Sequence, residues 1–165
     1  MIRRISNFFS WLCLAVLIGF AAVLLVPRAL GMQSFAVLSG SMEPTIPTGS
    51  LVFAKAQGSY AAGDIITFQD AGGTVVTHRI VSVDAAGACT TQGDANNVAD
   101  PHPVPSASII GKVAFHLPYL GSLCEALKTS AGITAICGVI LLLFLSILVP
   151  VIVSDVKRNR GEHEN

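Results

Sequence analysis

Two uncharged apolar stretches constrain this chain more than any other feature: residues 8–26, FFSWLCLAVLIGFAAVLLV, and residues 132–153, GITAICGVILLLFLSILVPVIV. Each has about the length that a helix needs to cross the hydrocarbon core, roughly 20 residues. A backbone in lipid has no water to bond to, so each stretch is expected to be an α-helix. The basic start before the first stretch is also the pattern of a cleavable signal peptide. Its apolar run exceeds the ~7–15 residues of such a peptide, and no clean small-x-small site follows Val26, so an uncleaved anchor is expected. Pro27-Arg28 is expected to end that helix. The mean hydropathy of +0.68 and the 12% share of charged residues arise at these two ends rather than in a greasy globule.

Residues 27–131 between the anchors are different in kind, and there is room for one small domain. Short runs rich in Val, Ile, Thr and Phe alternate with glycine and proline turns. Strands are expected at 50–55, 65–68, 74–83, 89–92 and 109–115, with Gly72-Gly73 closing a hairpin and a short helix within 118–129. Gly111 inside the last strand implies a bulge or a close contact. The fold class is therefore a mainly β domain flanked by two transmembrane α-helices.

Charge orients it. Arg3 and Arg4 precede the first span, and Lys157, Arg158 and Arg160 follow the second. Positive charge stays on the cytoplasmic side, so residues 1–7 and 154–165 are expected there and the β domain outside, a multi-pass arrangement in the cell membrane. Arg28 and Lys128, single charges on the far side, are outvoted. The formal net charge is zero and the middle of the chain has no basic run, which excludes a nucleic-acid binder. Cys13 and Cys137 lie in the apolar stretches and read as small hydrophobes. Cys89 and Cys124 are free to pair in an oxidising compartment, and two cysteines leave that open. No CxxC and no metal-spaced His/Cys cluster is present, so neither metal nor cofactor is expected.

Chemistry is concentrated in three places. Ser39-Gly40-Ser41-Met42-Glu43-Pro44-Thr45 puts two hydroxyls on a tight turn just outside the first span. A serine is a poor nucleophile until a base takes its proton. His78 is the best base, on the strand face it shares with Val76 and Ile80, while Thr77, Arg79 and Val81 take the other face. Gly93-Asp94-Ala95-Asn96-Asn97-Val98-Ala99-Asp100-Pro101 offers two carboxylates able to accept from an imidazole. Both aspartates also suit plain turn chemistry, and spacing does not choose between them. His102 and His116 read as loop histidines and His163 lies in the tail. Glu43 is placed to meet a surface cation, and Lys55 is the fallback base for a Ser-Lys dyad.

These stretches together resemble signal peptidase I, in its Ser-His branch (S26B) of the endoplasmic reticulum, archaea and some sporulating Gram-positive bacteria. Residues 39–45 look like the family's nucleophile box, and Thr77-His78-Arg79-Ile80-Val81 like its base box, with histidine where most bacterial members carry lysine. Gln92-Gly93-Asp94-Ala95-Asn96-Asn97 with Asp100 is similar to the aspartate box. Gly63-Asp64-Ile65-Ile66, Ile109-Ile110-Gly111-Lys112-Val113 and Pro118-Tyr119-Leu120-Gly121 also fit, in the family's order from residue 31 to 121. The resemblance implies a membrane-bound serine endopeptidase that binds signal-peptide-bearing precursors as an added strand and cuts after small residues. It implies Ser41 as nucleophile, His78 as general base, and the Ser41 N–H with the Ser39 hydroxyl as oxyanion hole. Asp100 would orient His78, and Asp94 would shape the loop or share that role. Membrane lipid and secretion-machinery components are the further partners implied. Two other readings stand beside it: a non-catalytic membrane-anchored β domain that binds exported chains or a partner, and a self-cleaving regulator, which would need a lysine base and an internal cleavage segment.

Overall fold

The structure, a computed structural model, describes residues 2–162. Met1 and the end of the expected tail, His163 included, lie outside them. The chain divides into two units. One is helical, built from helix α1 (Ile2–Ala29) up to residue 23 and from helix α3 (Ser130–Glu162). The other, residues 24–126, holds every strand.

Helix α1 outruns its expected limits at both ends. Pro27 lies inside its last turn, where the missing N–H removes a single hydrogen bond. The stop comes two residues after the helix, at Gly31. Its φ of +78° is the left-handed conformation that a glycine adopts without strain, and its N–H bonds the Arg28 carbonyl at 3.0 Å. Most of the described apolar side chains of α1 are exposed, Trp11, Ile18 and Leu25 among them. Among the described residues, Trp11–Ala29 is the helix long and apolar enough to cross a membrane. Helix α2 (Leu120–Lys128) and residues 130–146 of α3 pass that test only as a pair broken at Thr129. The Thr129 hydroxyl accepts from the Gly132 N–H at 3.1 Å and caps α3. From there α3 continues past residue 153 into the tail, as one helix to Glu162.

The β unit is one antiparallel sheet of six strands in the order β1-β2-β6-β3-β4-β5. The strands are β1 (Met32–Ala36), β2 (Leu51–Lys55), β3 (Ile65–Gln69), β4 (Val75–Val83), β5 (Cys89–Gln92) and β6 (Ile109–Leu117). Five of them fall where the sequence pattern puts them. β1 was not expected: MQSFA has no two-residue alternation, and only its pairing with β2, from Met32↔Lys55 to Ala36↔Leu51, makes it a strand. β6 inserts between β2 and β3 and joins the two halves of the sheet. Gly111 lies at a register shift there, and a Cβ at this position would come within 2.5 Å of the Lys55 carbonyl carbon. Both expectations for this glycine, bulge and close approach, therefore apply.

Two apolar clusters fill the unit. Val37, Met42, Ile46 and Val52 form one, and Ile66, Phe68, Ile80, Cys89 and Val104 the other. The first lies beneath the nucleophile-box turn and the second beneath the histidine strand, so the two halves of the candidate site rest on separate cores. Cys89 is a buried free thiol, and Cys124 is half-buried. Burial pushes the Cys89 thiol up from its ordinary range, helped by the charge of Asp84.

Candidate active site

The turn carrying Ser41 is held from below. Met42 is fully buried and Ile46 nearly so, worth roughly 1.5–3 kcal/mol each on the usual scale. The Ile46 N–H bonds the Met42 carbonyl at 2.8 Å and the Glu43 N–H bonds Gly40 at 3.0 Å, which winds the chain tightly and leaves Ser41 half-exposed above Met42. Among the described residues Glu43 meets no cation. Its carboxylate accepts from the Thr48 hydroxyl at 2.7 Å, and that bond holds it below the ordinary carboxylate range. Burying Met42 thus points the adjacent side chain outward.

His78 comes from β4, whose inward face Val76–His78–Ile80 follows the two-residue alternation. The residue is 8% exposed and its ring meets Phe68 edge-on, with centroids 6.5 Å apart. Nδ1 donates to Asp100 Oδ2 at 2.7 Å, which fixes the tautomer and leaves Nε2 to accept from Ser41 Oγ at 3.1 Å. Ser39 Oγ is 3.4 Å from Ser41 Oγ. Serine, imidazole and carboxylate therefore form one continuous chain of hydrogen bonds across elements separated by 37 and 22 residues.

The two aspartates part company here. Asp100 meets the imidazole. Asp94 gives both carboxylate oxygens to Arg79, accepting from Nε at 2.8 Å and Nη2 at 2.7 Å, while Arg79 Nη1 donates to the Gly63 carbonyl at 2.9 Å. The guanidinium pulls the Asp94 carboxyl below its ordinary range, with help from Thr45, and Asp94 in turn raises Arg79. This fork clamps the acidic loop to β4 and to the turn before β3. Asp94 reaches the imidazole by charge alone.

Two contributors carried no chemical signal in the sequence. Thr91 is fully buried, and its hydroxyl donates to Asp100 Oδ2 at 2.6 Å. Its place in the inward row of β5, beside Cys89, was the available clue. Gly93 packs flat against the site: a Cβ there would lie 2.5 Å from the Ser41 carbonyl oxygen and 3.0 Å from His78 Nε2. That same carbonyl accepts the Ala95 N–H at 2.9 Å. Of the lysines of the β unit, Lys112 pairs with Asp64 at 2.5 Å, and the fallback base Lys55 ends β2 opposite Met32 and Lys112. His116, expected in a loop, lies instead on β6 opposite Val52, and among the described residues its buried Nδ1 has no hydrogen-bond partner. His102 lines a cavity of about 510 Å³ that also borders His78 and Asp100, walled by Phe68, Val76 and Val104. Among the described residues no three of His, Cys, Asp and Glu converge as a metal site.

A half-exposed serine backed by a buried imidazole and a half-buried carboxylate partner, on a β scaffold, is the equipment of a serine hydrolase, because it can both remove and return a proton at one hydroxyl. Comparison with known proteins narrows the class. The family model described as "Signal peptidase, peptidase S26" matches residues 8–89. The chain is 39% identical over 99 residues to Signal peptidase I W of Bacillus subtilis (strain 168), covering 56% of this chain and 52% of the relative. Over these residues the chain is similar to the signal peptidase family, peptidase S26. It spans about half the length of that curated relative.

Proposed function

We propose that this protein is a membrane-anchored serine endopeptidase that removes signal peptides from exported proteins after small residues. The observation that carries this reading is the unbroken relay from Ser41 Oγ through His78 to Asp100, at 3.1 and 2.7 Å. His78 Nε2 takes the Ser41 proton as Oγ attacks the scissile carbonyl, and Asp100 stabilises the imidazolium that forms. The Ser41 N–H and the Ser39 hydroxyl face the developing oxyanion. His78 then hands its proton to the leaving amine, and a water activated by the same nitrogen releases the acyl group from Ser41. Asp94 has no part in proton transfer; it keeps the acidic loop in place through Arg79.

The substrate lies along β1. That strand is an edge of the sheet, with one side unpaired, and leads through Val37 and the exposed Leu38 directly to Ser39. An extended peptide adds there as a further strand and is delivered in register to Ser41. Both terminal helices, α1 and α3, span the bilayer with the basic ends 1–7 and 154–165 in the cytoplasm and the β unit outside. A precursor whose apolar core sits in the same membrane meets the site at high effective concentration.

The test is cleavage of a secretory precursor by the purified full chain in detergent, comparing wild type with Ser41→Ala and His78→Ala. Each variant is expected to lose on the order of 10⁴–10⁶ in rate. Equal cutting by wild type and Ser41→Ala would overturn the reading.

A further inference from the structure

Thr91 carries a hydroxyl where the core would be better served by a methyl. It is fully buried on the inward face of β5, next to Cys89 at 1% exposure. A hydroxyl taken out of water must find a partner, and this one finds Asp100 Oδ2 at 2.6 Å, the same oxygen that accepts from His78 Nδ1 at 2.7 Å. The backbone repeats the link, since the Asp100 N–H donates to the Thr91 carbonyl at 2.7 Å. One residue therefore holds both the main chain and the carboxylate of Asp100.

That double hold has a mechanical meaning. The Asp100 side chain is 22% exposed and borders the 510 Å³ cavity, and among the described residues only Thr91 and His78 bond its carboxylate. Without the hydroxyl, the carboxylate has open space to turn into, because the backbone link fixes the α-carbon and leaves the side-chain torsion free. Thr67 is the internal contrast. It is just as buried, but its hydroxyl is matched with that of Thr77 at 2.9 Å, away from the relay.

We propose that Thr91 is a positioning residue that aims Asp100 Oδ2 at His78 and keeps it there through the reaction. This rests on the peptidase reading of the Ser41–His78–Asp100 relay. The other charged groups near the imidazole are Asp94, neutralised by Arg79, with Asp70 and His102 lining the shared cavity. None of these bonds the carboxylate of Asp100.

The experiment compares Thr91→Val, which keeps the shape, with Thr91→Ser, which keeps the hydroxyl, and with the control Thr67→Val. It reads kcat and KM for a secretory precursor, and the proton NMR resonance of the His78 Nδ1–H in detergent, which reports its hydrogen bond to Asp100. A lost hydrogen bond to a charged group corresponds to a fall in kcat of about 10–100-fold in Thr91→Val. KM is expected to stay within about twofold, since no bond to substrate is touched. The Nδ1–H resonance should move upfield or broaden as the carboxylate turns away. Thr91→Ser should restore both readouts, and Thr67→Val should move neither. An unchanged kcat and an unchanged Nδ1–H resonance in Thr91→Val would overturn the proposal. An equal effect from Thr67→Val would overturn it too, reducing it to general core damage. If wild type cuts no precursor, the peptidase reading falls, while the Nδ1–H resonance still decides whether Thr91 holds the His78–Asp100 pair.

Discussion

Replacing Gly93 with alanine adds a single methyl group at the tightest point of the site. The new Cβ would start 2.5 Å from the Ser41 carbonyl oxygen, 2.9 Å from Asn96 Nδ2 and 3.0 Å from His78 Nε2. Real Cβ contacts do not fall below 3.0 Å, so the Ser41 contact must open by at least ~0.5 Å. The amide end of Asn96 can swing aside, but the Ser41 oxygen cannot, because it is backbone and is tied to the Ala95 N–H at 2.9 Å. Relief therefore comes from sliding residues 93–95 and the nucleophile turn apart, or from tilting the imidazole. Either movement lengthens the 3.1 Å contact between Ser41 Oγ and His78 Nε2. A misplacement of about 1 Å costs on the order of 10²-fold, so roughly 10–100-fold is expected in kcat. Overpacking adds a destabilisation of about 1–3 kcal/mol. The assay is precursor cleavage by the variant in detergent, with a thermal melt on the same sample to show that the domain is folded. A folded Gly93→Ala protein that cuts within about twofold of wild type would refute the steric reasoning.

Other perturbations probe the scaffold. Because Arg79 holds the Asp94 carboxyl below its ordinary value, the pair's contribution to stability is complete above about pH 4 and is lost as the pH falls through the depressed folded value. Asp94→Asn should therefore flatten the acid limb of the unfolding profile while leaving the His78–Asp100 contact in place; an unaltered acid limb in urea titrations would count against the clamp. Met42→Ala should destabilise the β unit by about 2–5 kcal/mol, since a fully buried side chain is removed beneath the nucleophile turn. A loss under ~1 kcal/mol in urea unfolding would mean the turn does not depend on that anchor. Cys89, buried and with its thiol pushed up, should resist iodoacetamide at neutral pH until denaturant is added, as read by mass spectrometry; rapid labelling of the native protein would contradict its burial.

Much of the architecture was legible because its determinants are local. Apolar length marks α1, two-residue alternation marks β4, and glycine pairs mark the turn between β3 and β4. β1 escaped because an edge strand with Gln33 and Ser34 both exposed, on opposite faces, owes its conformation to β2 rather than to its own pattern. The end of α1 was misplaced at Pro27 because a proline in the last turn removes only one bond, while Gly31 supplies the actual stop.

For the site, the sequence by itself determined which side chains have the right chemistry: a serine on a glycine turn, a histidine on an inward strand face, and two aspartates in one loop. The tertiary structure decided who meets whom. Asp94 and Asp100 are equivalent as text, but the first finds the Arg79 fork, and the second finds His78 and Thr91. Thr91 and Gly93 acquire their importance only through residues far along the chain, one as a donor and one as the absence of a side chain. The physical reason is range. Turns and strand faces follow from neighbours within a few residues, whereas hydrogen-bond partnership and steric exclusion are settled only when distant segments are packed to within ångströms of one another.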